Sequence, residues 1–202
     1  LEGDNGLFVD EKWNARDLLD FMLLVSSNDS AHALAAAAGN AVISAGAGST
    51  EDGYSTFIEA MNSKAKSIGL SQTYFLNETG LDASDAVSGG YGSARDMAYL
   101  MSYALRHTPE ALSATSYPEL TFTSQSNITH SASNTNEITA SIPGLIASKT
   151  GYTTLAGGNL VIAFDAGVGR PIIVSVLGST REGRFSDVQQ LVAATLSSLQ
   201  TP

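Results

Sequence analysis

The sequence predicts an α/β or α+β fold in which helices come first, an antiparallel sheet follows and a last helix closes the chain. Apolar residues recur at helical spacing up to about residue 105, whereas from Leu120 onwards they alternate or form short runs rich in β-branched residues. The chain has 202 residues, enough to bury a sizeable core, and contains no repeat or linker. We therefore expect a single domain over 1–202, with a helical lobe at about 14–110 and the sheet and final helix at about 118–200.

The N-terminal residues predict a short strand or hairpin edge followed by a helix. Asn5-Gly6 is a turn signal beside the apolar Leu7-Phe8-Val9. Asn14 is a good N-cap, and Asp17 places a negative charge in the first turn, where the helix dipole favours it. Apolar residues then follow at helical spacing, namely Leu18, Leu19, Met22 and Val25.

A polar corner separates this helix from the next one. Apolar character stops over Ser26–Ser30 and resumes in an alanine-rich run that begins at His32. Gly39 or Asn40 has the residue type that commonly ends a helix.

The remaining elements are bounded by cap and turn residues. Further helices are expected from Ser55 to Gly69, from Ser93 to just before Pro109, and from Glu182 to Leu199. Strands are expected at Leu120–Thr123, Ile128–Ser131, Gly144–Ser148, Asn159–Phe164 and Pro171–Leu177.

Composition excludes several function classes. The net charge of −10 repels polyphosphate, so nucleic acid is not an expected partner. The chain has no cysteine and its three histidines lie far apart in sequence, so we expect no disulfide, no metal site and no other cofactor. No apolar stretch approaches the roughly 18 residues of a membrane span.

Two short motifs indicate chemistry. Ser26-Ser27-Asn28 lies at the polar corner, and Lys149-Thr150-Gly151 ends an apolar strand and is followed by Tyr152-Thr153. In this order they match S-x-N and K-T-G, two of the three motifs shared by β-lactamases and penicillin-binding proteins. Alternatively, Ser26 and Asn28 are only a capping pair at a helix junction, and Lys149–Gly151 is a solvated strand end.

Beyond these motifs the chain resembles the low-molecular-weight penicillin-binding proteins, the serine-type D-alanyl-D-alanine carboxypeptidases, along nearly its full length. The matching stretches are Asp17–Leu19 through Ser26–Ala31, Phe57–Asn62, Gly69-Leu70 with Asn77–Asp82, Ser93–Ala98, Ser133–Asn136 and Lys149–Thr153. The resemblance implies a β-lactamase/transpeptidase-like fold, with an antiparallel sheet flanked by helices and a helical lobe. It also implies removal of the terminal D-alanine from peptidoglycan stem peptides, acylation by β-lactams, and a location in the bacterial periplasm or at the cell surface.

Residue chemistry fits a substrate that ends in a free carboxylate. The Lys149 ammonium and the Thr150 hydroxyl can hold that carboxylate by charge-assisted hydrogen bonds. Gly151 leaves room for the substrate backbone against the strand. Tyr152 and Thr153, which follow, are expected to contact the substrate as well.

The resemblance assigns further roles. It implies that the backbone N–H of Tyr152 contributes to the oxyanion hole and that Ser26 relays a proton between the leaving amine and a lysine. The Asn28 amide would position the substrate and that lysine. Arg184, at the start of the last helix, is expected to help bind the carboxylate.

The motif that bears the family nucleophile, S-x-x-K, should precede S-x-N. No serine occurs before Ser26, and Ser63–Lys66, which fits the pattern, follows S-x-N and lies towards the polar side of its helix. We therefore expect the fold to be incomplete at its N-terminus, with the nucleophile, the signal peptide and any membrane tether in segments outside this sequence. An upstream S-x-x-K segment of the same protein is thus an expected partner, and the isolated chain is expected to be inactive.

Two alternative functions stay open. A class A β-lactamase would need a loop glutamate that activates the deacylating water, and turnover of a chromogenic cephalosporin would identify it. A non-catalytic peptidoglycan-binding relic would bind a D-Ala-D-Ala peptide without hydrolysing it.

Overall fold

The computed structural model describes residues 6–47, 52–167 and 169–200. Its helices are α1 (Ala15–Val25), α2 (Asn28–Ser44), α3 (Gly53–Ser67), α4 (Ala94–His107) and α5 (Gly183–Gln200). Its strands are β1 (Tyr74–Phe75), β2 (Gly90–Tyr91), β3 (Glu119–Thr123), β4 (Thr129–Ser133), β5 (Leu145–Thr153), β6 (Gly157–Asp165) and β7 (Pro171–Ser179). Within the described ranges, no helix has both the length and the apolar character needed to cross a membrane.

Strands β5, β6 and β7 form an antiparallel sheet in that order, with a helix on each face. The pleat sends alternate β6 residues to opposite sides. Leu160, Ile162 and Phe164 pack with Phe185, Val188 and Val192 of α5 on one side. Ala147 and Ala163 pack with Met101 of α4 on the other. The predicted antiparallel sheet flanked by helices is therefore confirmed.

A second packing unit joins the first helix to the β3–β4 hairpin. Phe21 and Leu24 of α1 are fully buried against Ala132 of β4. Trp13 and Phe122 complete the cluster, with the Phe21 and Phe122 rings in edge contact at 5.7 Å. This unit fixes the C-terminal half of α1 against the β3–β4 hairpin.

The expected strand near the N-terminus does not form in residues 6–13. Asn5 of the predicted turn lies outside the described residues. The chain instead makes a turn in which the Glu11 N–H donates to the Phe8 carbonyl, while the Phe8 N–H donates to the Glu11 carboxylate at 3.1 Å. Glu11 also contacts His130 of β4 at 2.7 Å, so this side chain holds the N-terminal segment against β4.

Helix α2 is longer than predicted because neither Gly39 nor Asn40 ends it. Gly39 lies where α2 and α3 cross, and a Cβ there would lie 1.6 Å from the carbonyl oxygen of Gly53. The glycine therefore serves close packing between helices rather than termination.

Strand β5 is also longer than predicted and contains Lys149-Thr150-Gly151 within it. Before this motif, the edge of β5 is covered by a 3-10 helix, Pro109–Ser116, that the sequence did not predict. The Ser148 N–H donates to Thr115 Oγ1 at 3.1 Å, and Ser148 Oγ donates to the Thr115 carbonyl at 3.0 Å. The uncovered part of this edge strand therefore begins at Lys149.

Candidate active site

Ser26 is placed by the junction between α1 and α2. It is the C-cap of α1 and adopts the left-handed conformation, with φ 59° and ψ 47°. Ser27 then caps α2 by accepting a hydrogen bond from the Ser30 N–H at 3.1 Å. A non-glycine residue in this conformation is uncommon, and such residues occur often at functional sites.

Lys149 brings the two sequence motifs together. Its Nζ donates to Ser26 Oγ at 2.7 Å and to the Thr150 carbonyl at 2.8 Å. Burial lowers the pKa of the Lys149 ammonium to about 8, and the positive charge of Arg184 acts in the same direction. The ammonium is therefore held close to its titration point beside a serine hydroxyl.

Thr150 is buried and shares a hydrogen bond with Thr135, their hydroxyl oxygens lying 2.7 Å apart. The Thr135 N–H donates to the Leu24 carbonyl at 3.1 Å, which links this threonine to the end of α1. From the sequence, this threonine was named only as part of the matching stretch Ser133–Asn136. Thr135 itself lines the site, and its pairing with Thr150 could not be foreseen from sequence spacing.

Gly151 is not required by the packing of the chain. A Cβ at this position would meet only the Asn159 Cβ, at an ordinary 3.8 Å. The space that a side chain would occupy is therefore available to a ligand.

Arg184 reaches the same strand from the first turn of α5. Its Nη1 donates to the Gly151 carbonyl at 2.8 Å, and its guanidinium lies over the Phe185 ring at 4.7 Å. The side chain is buried, and its Nε has no hydrogen-bond partner among the described residues. The guanidinium thus places a buried positive charge beside Gly151.

These residues line one groove of about 480 Å³. All the predicted site residues border it, namely Ser26, Asn28, Lys149, Thr150, Gly151, Tyr152, Thr153 and Arg184. Among the described residues that line it, the charged side chains are Lys149, Arg181 and Arg184, all positive. A cationic groove in a chain of net charge −10 favours an anionic ligand.

Besides Thr135, sequence reasoning missed two residues that shape the groove. Asp82 accepts hydrogen bonds from Thr153 Oγ1 at 2.8 Å and from the Leu155 N–H at 3.2 Å, so it holds the turn after β5. Arg181 borders the groove, and its guanidinium lies 5.3 Å from the centre of the Tyr152 ring. Its position three residues before Arg184 was the available signal.

Other polar residues of the sequence lie outside the groove. Ser63 and Lys66 of the S-x-x-K pattern in α3 are exposed and do not line the groove. The Asp96 carboxylate holds the segment before β1, since it accepts hydrogen bonds from the Gln72 N–H and Thr73 Oγ1, both at 2.8 Å. His32 contacts Glu78 at 3.0 Å and is largely exposed.

Comparison with known proteins gives a consistent family. The family profile described as D-alanyl-D-alanine carboxypeptidase, peptidase family S11, matches residues 5–181. D-alanyl-D-alanine carboxypeptidase DacB2 of Mycobacterium tuberculosis is 31% identical over 178 residues, covering 88% of this chain and 55% of that protein. DacF of Bacillus subtilis is 30% identical over 207 residues, covering 98% of this chain and 47% of that protein. The chain thus spans about half the length of these curated relatives.

Solved structures agree. A D-alanyl-D-alanine carboxypeptidase from Mycobacterium tuberculosis superposes with a TM-score of 0.74 at 28% identity, covering 94% of this chain and 66% of that one. Ampicillin-bound penicillin-binding protein D2 from Listeria monocytogenes gives a TM-score of 0.71 at 31% identity, covering 90% and 67%. The predicted transpeptidase-like fold is therefore confirmed, and the chain belongs to the D-alanyl-D-alanine carboxypeptidase family of serine peptidases.

Proposed function

We propose that the protein containing this chain is a penicillin-binding D-alanyl-D-alanine carboxypeptidase that removes the terminal D-alanine from peptidoglycan stem peptides. The observation that supports this most directly is the 2.7 Å hydrogen bond from Lys149 Nζ to Ser26 Oγ, which joins the two motifs in one cationic groove. In this proposal the protein acts on the bacterial cell wall and cell shape from the periplasm or the cell surface.

The substrate lies along the uncovered edge of β5 as an added strand. Thr150, Lys149 and Arg184 hold its C-terminal carboxylate by charge-assisted hydrogen bonds. Gly151 leaves space for the substrate backbone, as the open surroundings of its Cα allow. An incoming peptide is thus held by its free C-terminus.

Chemistry proceeds through an acyl-enzyme. The attacking serine belongs to an S-x-x-K segment outside residues 1–202, and its hydroxyl proton passes to the lysine of that segment. Its oxygen forms an ester with the carbonyl carbon of the penultimate D-alanine as the terminal amide bond breaks and D-alanine leaves. Ser26, hydrogen-bonded to Lys149, passes a proton to the leaving amine, and the Asn28 side chain orients the scissile amide. The Tyr152 N–H stabilises the developing oxyanion. Water then releases the shortened peptide.

Labelling of the full-length protein with a fluorescent penicillin tests the proposal. We expect one covalent label on a serine outside residues 1–202, together with release of D-alanine from a peptide ending in D-Ala-D-Ala. K149M should lower the rate of penicillin labelling and the rate of D-alanine release by about 100-fold each, because it removes a cationic donor of the groove. R170Q removes a positive charge far along the chain in the β6–β7 turn and should leave both rates unchanged.

Absence of both labelling and D-alanine release would contradict the proposal. Binding of the peptide without hydrolysis would assign the protein to a non-catalytic class instead. A label on a serine within residues 1–202 would contradict the placement of the nucleophile.

A further inference from the structure

Arg181 and Tyr152 form a pair at the rim of the groove that the carboxylate-binding residues do not use. The Arg181 guanidinium lies over the Tyr152 ring at 5.3 Å from its centroid, within the range of a cation–π interaction. Both side chains are exposed and both border the groove. The ring thus holds the guanidinium in place while its N–H groups stay accessible.

Among the described residues, no carboxylate forms an ion pair with Arg181, although Glu182 follows it directly in the chain. Burial lowers the pKa of Arg184, and the charge of Arg181 lowers it further, while Glu137 and Glu182 raise it. Arg181 and Arg184 therefore repel each other in the absence of an anionic ligand.

The covered part of β5 fixes the direction in which a ligand extends. Thr115 occupies the strand edge at Ser148, so a ligand with its terminal carboxylate at Thr150 must run towards Thr153. In the proposed reaction the Tyr152 N–H faces the carbonyl of the penultimate residue, and a strand rises about 3.3 Å per residue, so the ligand residue before it lies one strand step past Tyr152, towards Thr153. That residue precedes the terminal dipeptide.

We infer that Arg181, held by Tyr152, is a specificity-determining residue that binds a second anionic group, a carboxylate on the residue preceding the terminal D-Ala-D-Ala. The inference deepens the proposed function, because it takes the ligand of the groove to be a peptide with a free C-terminus. Arg181 thereby distinguishes peptides with a carboxylate at that position from otherwise identical peptides with a carboxamide.

The test uses two peptides of equal length that end in D-Ala-D-Ala and carry either glutamate or glutamine at the preceding position. Their terminal amide is replaced by a reduced methylene-amine bond, so that neither can be hydrolysed. Dissociation constants are measured by calorimetry on the full-length protein. We expect the glutamate peptide to bind about threefold more tightly, the effect of an exposed ion pair. This preference should shrink in high salt, because salt screens exposed charges.

Variants of Arg181 and Tyr152 test separately the positive charge and the aromatic ring that holds it. R181Q should bring the ratio of the two dissociation constants to about one, and R181K should restore part of the preference. Y152L should lower the ratio, because the guanidinium loses the ring that holds it. R170Q removes one positive charge outside the groove and should keep the wild-type ratio.

A wild-type ratio of one, or a preference that R181Q retains, would overturn the inference even if the enzyme releases D-alanine. Conversely, an Arg181-dependent preference in a protein that releases no D-alanine would support the inference and contradict only the proposed reaction. The binding measurement therefore tests the role of Arg181 separately from the proposed reaction.

Discussion

At the scale of single residues, the titration of Lys149 is the most informative property of the groove. Burial and the neighbouring Arg184 charge lower its pKa to about 8, so the ammonium is mostly charged at pH 7 and loses its proton as the pH rises through 8. An NMR titration of the Lys149 side chain in the full-length protein should have a midpoint near pH 8. R184Q should move the midpoint upwards, because removal of a like charge favours the protonated form.

R170Q provides the comparison for this titration, since it changes the net charge equally but lies outside the groove. Its midpoint should match that of the wild type. A wild-type midpoint near 10.5, the ordinary value for lysine, would show that the ammonium is solvated and contradict the buried arrangement.

Sequence motifs identified the pair that meets in the groove but not the residues around it. Ser26 and Lys149 were predicted to share a site, and their atoms lie 2.7 Å apart although 123 positions separate them. Thr135 and Asp82 were not singled out, because polar residues in loops are equally typical of turns. Only the fold shows that Thr135 faces Thr150 and that Asp82 holds the turn after β5.

At the scale of elements, local signals predicted most helix starts, and tertiary contacts set the remaining boundaries. Asn14 and Ser93 cap α1 and α4 as expected, each accepting a hydrogen bond from a backbone N–H of the first turn. The N-terminal strand was wrong because the Glu11 carboxylate binds the Phe8 N–H and His130 instead of leaving the backbone extended. Gly39 was misread as a stop because its role depends on Gly53, which belongs to another helix.

The crossing of α2 and α3 gives a prediction about stability. In G39A the new methyl group would collide with the Gly53 backbone, so the two helices must separate. We expect a loss of about 3 kcal/mol in the free energy of unfolding, measured by urea denaturation of the full-length protein. Backbone atoms cannot move aside as a flexible side chain can.

G90A is the matched variant for this measurement. Its methyl group would meet the Phe75 ring at 3.6 Å and the Tyr74 carbonyl oxygen at 3.8 Å, both ordinary contact distances, so the free energy of unfolding should change by less than about 1 kcal/mol. Equal stability of G39A and G90A would show that α2 and α3 do not approach as closely as described.

At the scale of the whole molecule, charge is distributed unevenly. The chain carries 20 acidic and 10 basic residues, yet the charged side chains that border the groove in the described residues are all basic. Composition alone predicted that polyanions would be repelled, which holds for the average surface. The fold concentrates positive charge at one place, so a small carboxylate ligand can bind where a long polyanion would meet repulsion from the rest of the surface.

Acid stability depends on a contact that joins the N-terminal segment to the β3–β4 hairpin. His130 Nε2 lies 2.7 Å from Glu11 Oε1, and both side chains are almost fully buried, among Phe8, Trp13 and Phe21. Burial by itself raises the pKa of Glu11, but hydrogen bonds from Ser124, from His130 and from the Phe8 backbone outweigh it and lower the pKa to about 2. The folded state therefore favours the ionised carboxylate.

The direction of the pH effect follows from this lowered pKa. The ordinary value is 4.5, so between pH 4.5 and 2 the unfolded chain binds a proton at Glu11 that the folded chain does not. The contribution of Glu11 to stability is thus fully present above pH 4.5 and is lost as the pH falls towards 2. In E11Q this loss should be absent, so urea denaturation at pH 6, 4 and 3 should give a flatter dependence of unfolding free energy on pH.

At pH 6, E11Q should itself be less stable by about 2 kcal/mol, because a neutral amide replaces a buried carboxylate that accepts several hydrogen bonds. E110Q removes an exposed carboxylate from the 3-10 helix and should follow the wild-type pH profile. If E11Q also followed it, the Glu11–His130 contact would not control acid stability. A flatter profile in E11Q alone would show that the Glu11 carboxylate holds the N-terminal segment against the β3–β4 hairpin, although 119 positions separate it from His130 in sequence. The same hairpin packs against α1, the helix that ends at Ser26.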